Sequence, residues 1–216
     1  MLELVISIAV LIVIGYGFGC FSTGYFVGKM YGIDIRNSGS GNVGTTNALR
    51  TLGKKAGLLT FLGDFLKALI PCLIVFFIFS SRENHACYLY TLCIGLGVVL
   101  GHNYPFYLHF KGGKGIAVTA GVIVASSLDW RFVGAGLVIF ITVVAVTRYV
   151  SLGSLIVVWL IPLYTIIFYR DTPYFIATLC ISLLFTVSGY NKHRSNIKRL
   201  LNGTENKLTA KKKGAE

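Results

Sequence analysis

Charged residues are scarce in this chain. They make up 13% of its 216 residues, about half the share expected of a soluble domain. Acid is scarcer still: eight Asp and Glu stand against twenty Lys and Arg, for a formal net charge of +12. With 55% hydrophobic residues, the chain carries more apolar surface than one soluble core of this size can hide. This balance excludes an ordinary cytosolic enzyme, a disordered chain and a secreted disulfide scaffold. It leaves an all-α, polytopic integral membrane protein. The five cysteines (Cys20, Cys72, Cys87, Cys93, Cys180) are scattered, odd in number and without a Cys-x-x-Cys pair, so neither a disulfide framework nor a zinc site is expected. They read as inert thiols buried in lipid-facing or packed helices. His85, His102, His109 and His193 lack His-x3-His spacing and a neighbouring carboxylate cluster, so no metal and no cofactor is expected.

Apolar runs place seven transmembrane helices at about 4–28, 57–80, 86–101, 113–130, 132–147, 150–169 and 172–191, within one domain covering 1–216 and ending in a tail, 192–216. The fourth is marginal. Its charge-free run, Ile116 to Leu128, is thirteen residues, roughly 20 Å of helix. It crosses only if the helix starts near Gly113 and runs to about Trp130; otherwise it is a re-entrant segment. No cleavable leader is expected, because the first run is too long and its start carries Glu3. No internal repeat is visible.

Orientation follows from the cations. With the N-terminus outside and the C-terminus cytoplasmic, sixteen of the twenty Lys and Arg fall on the inner side with three acids, among them Asp34 and Glu205. The outer side holds Arg82, Arg131 and Arg170 against four acids. This concentration at one membrane surface argues against nucleic acid as the partner. The Lys211-Lys212-Lys213 cluster reads as a solvated tail near anionic head groups.

The inner loops are long and rich in Gly, Asn, Ser and cations, so chemistry is expected there. Ser38 to Asn47, with Arg50 behind it, combines small residues, hydroxyls, amides and a guanidinium fork suited to phosphate. Gly39-x-Gly41-x-x-Gly44 formally matches a dinucleotide fingerprint, but no strand precedes it. Gly101-His102-Asn103, followed by Lys111-Gly112-Gly113-Lys114-Gly115, opens the fourth helix. Free N–H groups and a lysine at a helix N-terminus make an anion site; the Walker A spacing is absent. Tyr190 to Arg199, ending in Gly203-Thr204-Glu205, puts His193 and Asn196 at i, i+3, and also reads as a basic anchoring helix. Ser151 and Ser154 lie at the same membrane level. Asp64 and Lys67 share one face inside the second span, either as an ion pair ordering the bundle or as part of a proton path.

Taken together, Ser40-Gly-Asn-x-Gly-x-Thr-Asn47-x-x-Arg50, Gly101-His-Asn-x-Pro-Phe with Lys111-Gly-Gly-Lys-Gly115, and His193-Arg-x-Asn-Ile-x-Arg-Leu with Gly203-Thr-Glu205 closely resemble the bacterial acyl-phosphate:glycerol-3-phosphate acyltransferases, the PlsY family. The likeness spans nearly the whole chain and includes Asp64-x-x-Lys67. Val43 and Thr45 stand where the family often has Pro and Ala.

The resemblance implies a seven-helix enzyme of the bacterial cytoplasmic membrane. It would transfer a fatty acyl group from acyl phosphate to the 1-hydroxyl of glycerol 3-phosphate, giving lysophosphatidic acid and phosphate. By motif position Ser40, Arg50, Ser151 and His193 would be catalytic. Asn42, Asn47, Lys111, Gly112, Gly113, Lys114, Gly115 and Asn196 would bind substrate, and Glu205 would orient. A soluble acyl-phosphate synthase would be the metabolic partner. Because acyl phosphate is already activated, direct transfer without an acyl-enzyme is expected. The proton acceptor is left open between His193 and a substrate phosphate oxygen.

The nearest alternative is an acyl-CoA-dependent acyltransferase. Many of those carry His-x4-Asp, whereas the residues five after each histidine are Tyr90, Tyr107, Lys114 and Lys198. A small organic-phosphate transporter would place polar residues at the midplane, often in a repeat, and only Asp64 and Lys67 qualify.

Overall fold

The computed structural model describes residues 2–80, 86–127 and 129–208. Expectations resting on Arg82, Glu83, His85, the Lys211–Lys213 cluster and Glu216 lie outside these residues. The regular structure among the described residues is helical. In chain order it comprises α1 (Leu2–Cys20), α2 (Thr23–Met30), α3 (Thr45–Leu52), α4 (Lys54–Ser80), α5 (Cys87–Asn103), α6 (Ile116–Ser127), α7 (Trp130–Thr147), α8 (Val150–Val157), α9 (Leu160–Phe168), α10 (Phe175–Lys192) and α11 (Arg194–Leu201), with short 3₁₀ turns at Ile35–Asn37 and Phe106–Leu108. Among the described residues, five stretches are long and apolar enough to cross a membrane: Leu2–Met30, Lys54–Ser80, Trp130–Thr147, Val150–Phe168 and Phe175–Lys192.

Burial ranks the helices. In α5, 14 of 17 residues are buried, whereas α7 buries Gly136 alone. So α5 is the axis of the bundle and α7 lies at its edge. Away from their charged ends, the large outward side chains of α1, α4 and α7 are Leu, Val, Ile and Phe, with Trp130 opening α7, as expected where lipid is the solvent. In lipid, helices gain little from burying apolar side chains against one another, so close backbone packing must supply the cohesion.

The sequence provides that packing. Gly15 and Gly19 on α1 face Gly97 and Gly101 on α5, both pairs at i, i+4. A methyl group at Gly15 would run into the Ile94 carbonyl, and one at Gly19 into the Val98 carbonyl. Methyl groups at Gly97 and Gly101 would meet the Ile12 and Tyr16 carbonyls. The two backbones touch over two helical turns, in the most extensive helix contact among the described residues.

Two expected spans are broken, and each break has a partner that satisfies the freed backbone groups. The 4–28 span divides between Cys20 and Thr23. There Lys67 Nζ donates to the Phe21 carbonyl at 2.7 Å, and the Ser22 N–H donates to the Tyr107 hydroxyl at 3.2 Å. The 150–169 span divides at Val158 and Trp159. Pro162 has no N–H to offer the Val158 carbonyl four residues back; the Thr186 hydroxyl of α10 donates to it instead, at 2.9 Å. Irregular backbone at membrane depth requires such substitutes. The helix expected over 113–130 starts only at Ile116, because the residues before it are held elsewhere, as described next.

Candidate active site

Three loops separated in sequence meet in one cavity of about 310 Å³, lined by Ser40, Gly41, Asn42, Gly112, Lys114, Lys192, Ser195, Arg199 and Asn206. Each wall is built differently. The first, 38–44, is an irregular loop organised around Asn47. This amide is 2% exposed. Its Oδ1 accepts the Ser40 N–H at 2.8 Å, and its Nδ2 donates among the carbonyls of Ser38, Asn42 and Ile35 at 2.9–3.2 Å. Asn47, expected to bind substrate, spends its hydrogen-bonding capacity shaping the loop that presents Ser40. Asn42 Oδ1 likewise accepts the Gly44 N–H at 2.9 Å.

The second wall is the glycine loop before α6. The N–H groups of Gly112 and Gly113, expected to face an anion, are used differently. They donate to the Asn103 and His102 carbonyls at 3.2 and 3.0 Å, capping the end of α5. Only glycine permits this approach, since a methyl at Gly112 would strike the His102 carbonyl. The contact holds the loop extended and delays α6 to Ile116. It also fixes the root of Lys114, whose ammonium donates to Asn196 Oδ1 and keeps two further protons to offer.

The third wall is the start of α11 and the turn behind it. At the end of α11, Gly203 takes φ +68°. The Thr204 N–H reaches the Arg199 carbonyl at 2.8 Å and the Gly203 N–H reaches Leu200 at 3.2 Å, the paired bonds of a Schellman cap. The chain is thereby turned back so that Glu205 faces the site. Its Oε1 accepts from Ser151 Oγ at 3.0 Å and Asn196 Nδ2 at 2.7 Å, while Oε2 accepts from Arg199 Nε at 2.7 Å. Burial pushes this carboxyl up, but the three donors outweigh it and hold it below the usual carboxylate range. Lys114, Asn196, Glu205, Arg199 and Ser151 thus form one hydrogen-bonded network joining the glycine loop, α8, α11 and the turn after it.

Lys114, Lys192 and Arg199 give the cavity three cations, and among the described residues no acid lines it; the Glu205 side chain, paired with Arg199, lies buried behind the wall. Burial, helped by Arg199, Arg50 and Lys192 and opposed by Glu205, holds the Lys114 ammonium down to about 8. The cation is present below that pH and lost above it. Binding of sulfate, an anion of constant charge, should therefore weaken as pH rises through about 8, by up to about tenfold per unit. Lys114→Arg should remove that limb, because arginine stays protonated. Calorimetric titration of sulfate across that range measures both.

Several expected residues lie beside the cavity rather than in its lining. Ser151 is 6% exposed and committed to Glu205; Asn196 is 5% exposed and bonded through both ends of its amide. His193 is 2% exposed at the end of α10, with Nδ1 2.8 Å from the Gly189 carbonyl. Burial and then Lys114 push its imidazole down to about 4, so it is neutral at physiological pH. Arg50 and Lys111 are exposed; Arg50 acts on Lys114 through its charge. Gly113 and Gly115 are buried against α5.

Lys192, Ser195, Arg199 and Asn206 line the cavity; the first three belong to the third sequence cluster, but the sequence assigns none of the four a site role. The signal was present in part: Ser195 and Arg199 stand at i, i+4, one face of a helix.

Comparison with known proteins agrees along most of the chain. The family model described as glycerol-3-phosphate acyltransferase matches residues 9–203. The chain is 43% identical to the glycerol-3-phosphate acyltransferase of Clostridioides difficile (strain 630), covering 96% of this chain and 98% of that one. It is 41% identical to that of Geobacter sulfurreducens, covering 93% and 97%. Among solved structures it is similar to PlsY (YgiH), an integral membrane glycerol 3-phosphate acyltransferase. Against the glycerol 3-phosphate form the TM-score is 0.81 at 35% identity, covering 94% of this chain and 96% of that chain; against the lysophosphatidic acid form it is 0.79 at 34%, with the same coverage. The match over residues 9–203 takes in the first two walls of the cavity, α11 of the third and the glycine-packed helices behind them, and the chain belongs to the glycerol-3-phosphate acyltransferase (PlsY) family.

Proposed function

We propose that this protein transfers a fatty acyl group from acyl phosphate to the 1-hydroxyl of sn-glycerol 3-phosphate, releasing lysophosphatidic acid and inorganic phosphate. The observation that carries the proposal is a cavity lined by three cations and, among the described residues, by no acid. Both substrates bring phosphate, and two unspent protons on Lys114, together with Lys192 and the free end of the Arg199 guanidinium, suit them. Lys114 and Arg199 neutralise the phosphate that departs as the glycerol oxygen bonds to the acyl carbon and the acyl–phosphate C–O bond breaks. Ser40, presented by the Asn47-organised loop, orients the hydroxyl.

Transfer is direct. Ser151 would need a base to attack, and its partner Glu205 is a weak one, held low by Arg199 and Asn196. The hydroxyl proton goes to a substrate phosphate oxygen. A phosphate monoester has a second pKa of about 6, whereas the His193 imidazole lies at about 4 and is the poorer acceptor. His193 keeps α10 and α11 in register beside Lys114.

The chain crosses the membrane seven times as one domain, with the buried α5 as the third span and α6 as the fourth; although α6 has only the twelve residues Ile116–Ser127, about 18 Å of helix, local thinning of the bilayer lets so short a helix cross rather than re-enter. The cation count supports a cavity at the cytoplasmic face, with the acyl tail between helices and open to lipid. No cofactor takes part. A soluble enzyme that makes acyl phosphate supplies the donor.

The test is donor choice. Purified protein in lipid nanodiscs receives glycerol 3-phosphate with either palmitoyl phosphate or palmitoyl-CoA, and lysophosphatidic acid is measured. Product is expected from the acyl phosphate alone; product only from the CoA ester would overturn the donor assignment.

A further inference from the structure

Directly behind the glycine loop, inside the bundle, lies a buried polar cluster that the chemistry above does not use. Lys67 of α4 has three ammonium protons and three acceptors: the Phe21 carbonyl at 2.7 Å, Asp64 Oδ1 at 2.8 Å and His102 Nδ1 at 2.9 Å. The Lys67 and Asp64 side chains are 7% and 2% exposed, and that of His102 is 3% exposed. With Nδ1 accepting from the ammonium, the His102 ring is neutral and carries its proton on Nε2. That edge of the ring lies against Gly113, where an added methyl group would collide with Nε2, Cε1 and Cδ2. The His102 carbonyl meanwhile accepts the Gly113 N–H at 3.0 Å. His102 thus grips the residue next to Lys114 by ring and carbonyl together.

A buried ammonium needs three acceptors whatever its role, and a backbone carbonyl could have served as the third. Here the third proton of Lys67 is spent on fixing the orientation of a ring that packs beneath the loop. Replacing a buried cluster of this kind by apolar residues often costs little stability or none, so stability alone is a weak reason for its presence.

We infer that Asp64, Lys67 and His102 are positioning residues for Lys114: Lys67, oriented by Asp64, sets the His102 ring, and the ring sets the height of the Gly112–Gly113 backbone from which Lys114 reaches the cavity. The inference rests on the proposed acyl transfer for its kinetic consequence. Its structural content stands apart from that reading.

The decisive variant is His102→Asn. Its amide oxygen keeps an acceptor for Lys67 and removes the ring atoms under Gly113. In detergent or nanodiscs it should stay monodisperse, with a thermal midpoint close to the unsubstituted protein's. Hydrogen exchange should quicken at least tenfold at the amides of 112–115 and stay unchanged in 38–47. KM for glycerol 3-phosphate should rise at least tenfold, with kcat lowered less. Lys67→Met should reproduce the exchange pattern, and Lys67→Arg should restore part of it.

Unchanged exchange at 112–115 and unchanged KM in a folded His102→Asn protein would overturn the inference, as would a change confined to the thermal midpoint. If His102→Asn does not fold, the exchange comparison of Lys67→Arg with Lys67→Met decides in the same way. Exchange requires no turnover, so failure of the proposed reaction would show as absent product in the unsubstituted protein and leave this measurement intact.

Discussion

Lys114→Ala should lower kcat/KM for glycerol 3-phosphate by about 10²–10³-fold, the loss typical when a preorganised donor is removed from a charged reaction centre. The substitution removes one of three cavity cations, and no neighbour can replace it. Arg199 is tied to Glu205 through Nε, and Lys192 Nζ is tied to the Asn103 carbonyl at 2.8 Å. Both are rooted on other elements. Asn196 loses its ammonium partner but keeps Glu205, so the turn behind α11 should persist and the protein should still insert and purify. The check is steady-state kinetics of lipid-reconstituted protein, paired with gel filtration of the same preparation. Activity within about twofold of the unsubstituted enzyme would remove Lys114 from the reaction. Lys114→Arg should retain part of the rate, because charge is kept while the compact ammonium geometry is lost.

Gly19→Leu should destabilise the protein severely, and Gly17→Leu should not. The two glycines are two residues apart on α1. Gly19 touches the Val98 backbone of α5, whereas nothing lies within 4 Å of a Cβ at Gly17. Overpacking a core commonly costs about 1–3 kcal/mol, and more where neighbours cannot yield. Here the neighbour is the backbone of the central helix, so the whole α1–α5 contact must open. At about 2–4 °C per kcal/mol for a chain of this size, a loss near 3 kcal/mol lowers the midpoint by roughly 6–12 °C. Gly17→Leu should shift it by under about 2 °C on the same scale. Equal shifts would mean that the two backbones are not the contact that holds the bundle.

The membrane class and the positions of the long helices could be read from hydropathy, because in lipid an apolar run long enough to cross is nearly a structural statement by itself. The loops that meet at the cavity could also be read, from glycines and cations crowded where no core demands them. What the sequence did not reveal depends on contacts between distant elements. Nothing around Ser22 announces a break in the first span; the break exists because Lys67 and Tyr107 are there to bond it. Pro162 was a visible signal, but its consequence needed Thr186. Asn47, Gly112 and Gly113 carry groups suited to a phosphate, and only the fold reveals that those groups are spent on backbone. Lys192, Ser195 and Arg199 looked like members of a basic anchor until the Schellman turn at Gly203 showed which way their face points.

The glycine seam between α1 and α5 also sets a timetable for biosynthesis. The partner of Gly19 is made about eighty residues later, which at 5–20 residues per second is roughly 4–16 s of translation. During that interval the first helix sits in the bilayer with its narrow groove unfilled, and α4 must be threaded before α5 can descend into place. A ribosome stalled short of Cys87 would leave an inserted fragment lacking its own spine, a natural substrate for membrane quality-control proteolysis.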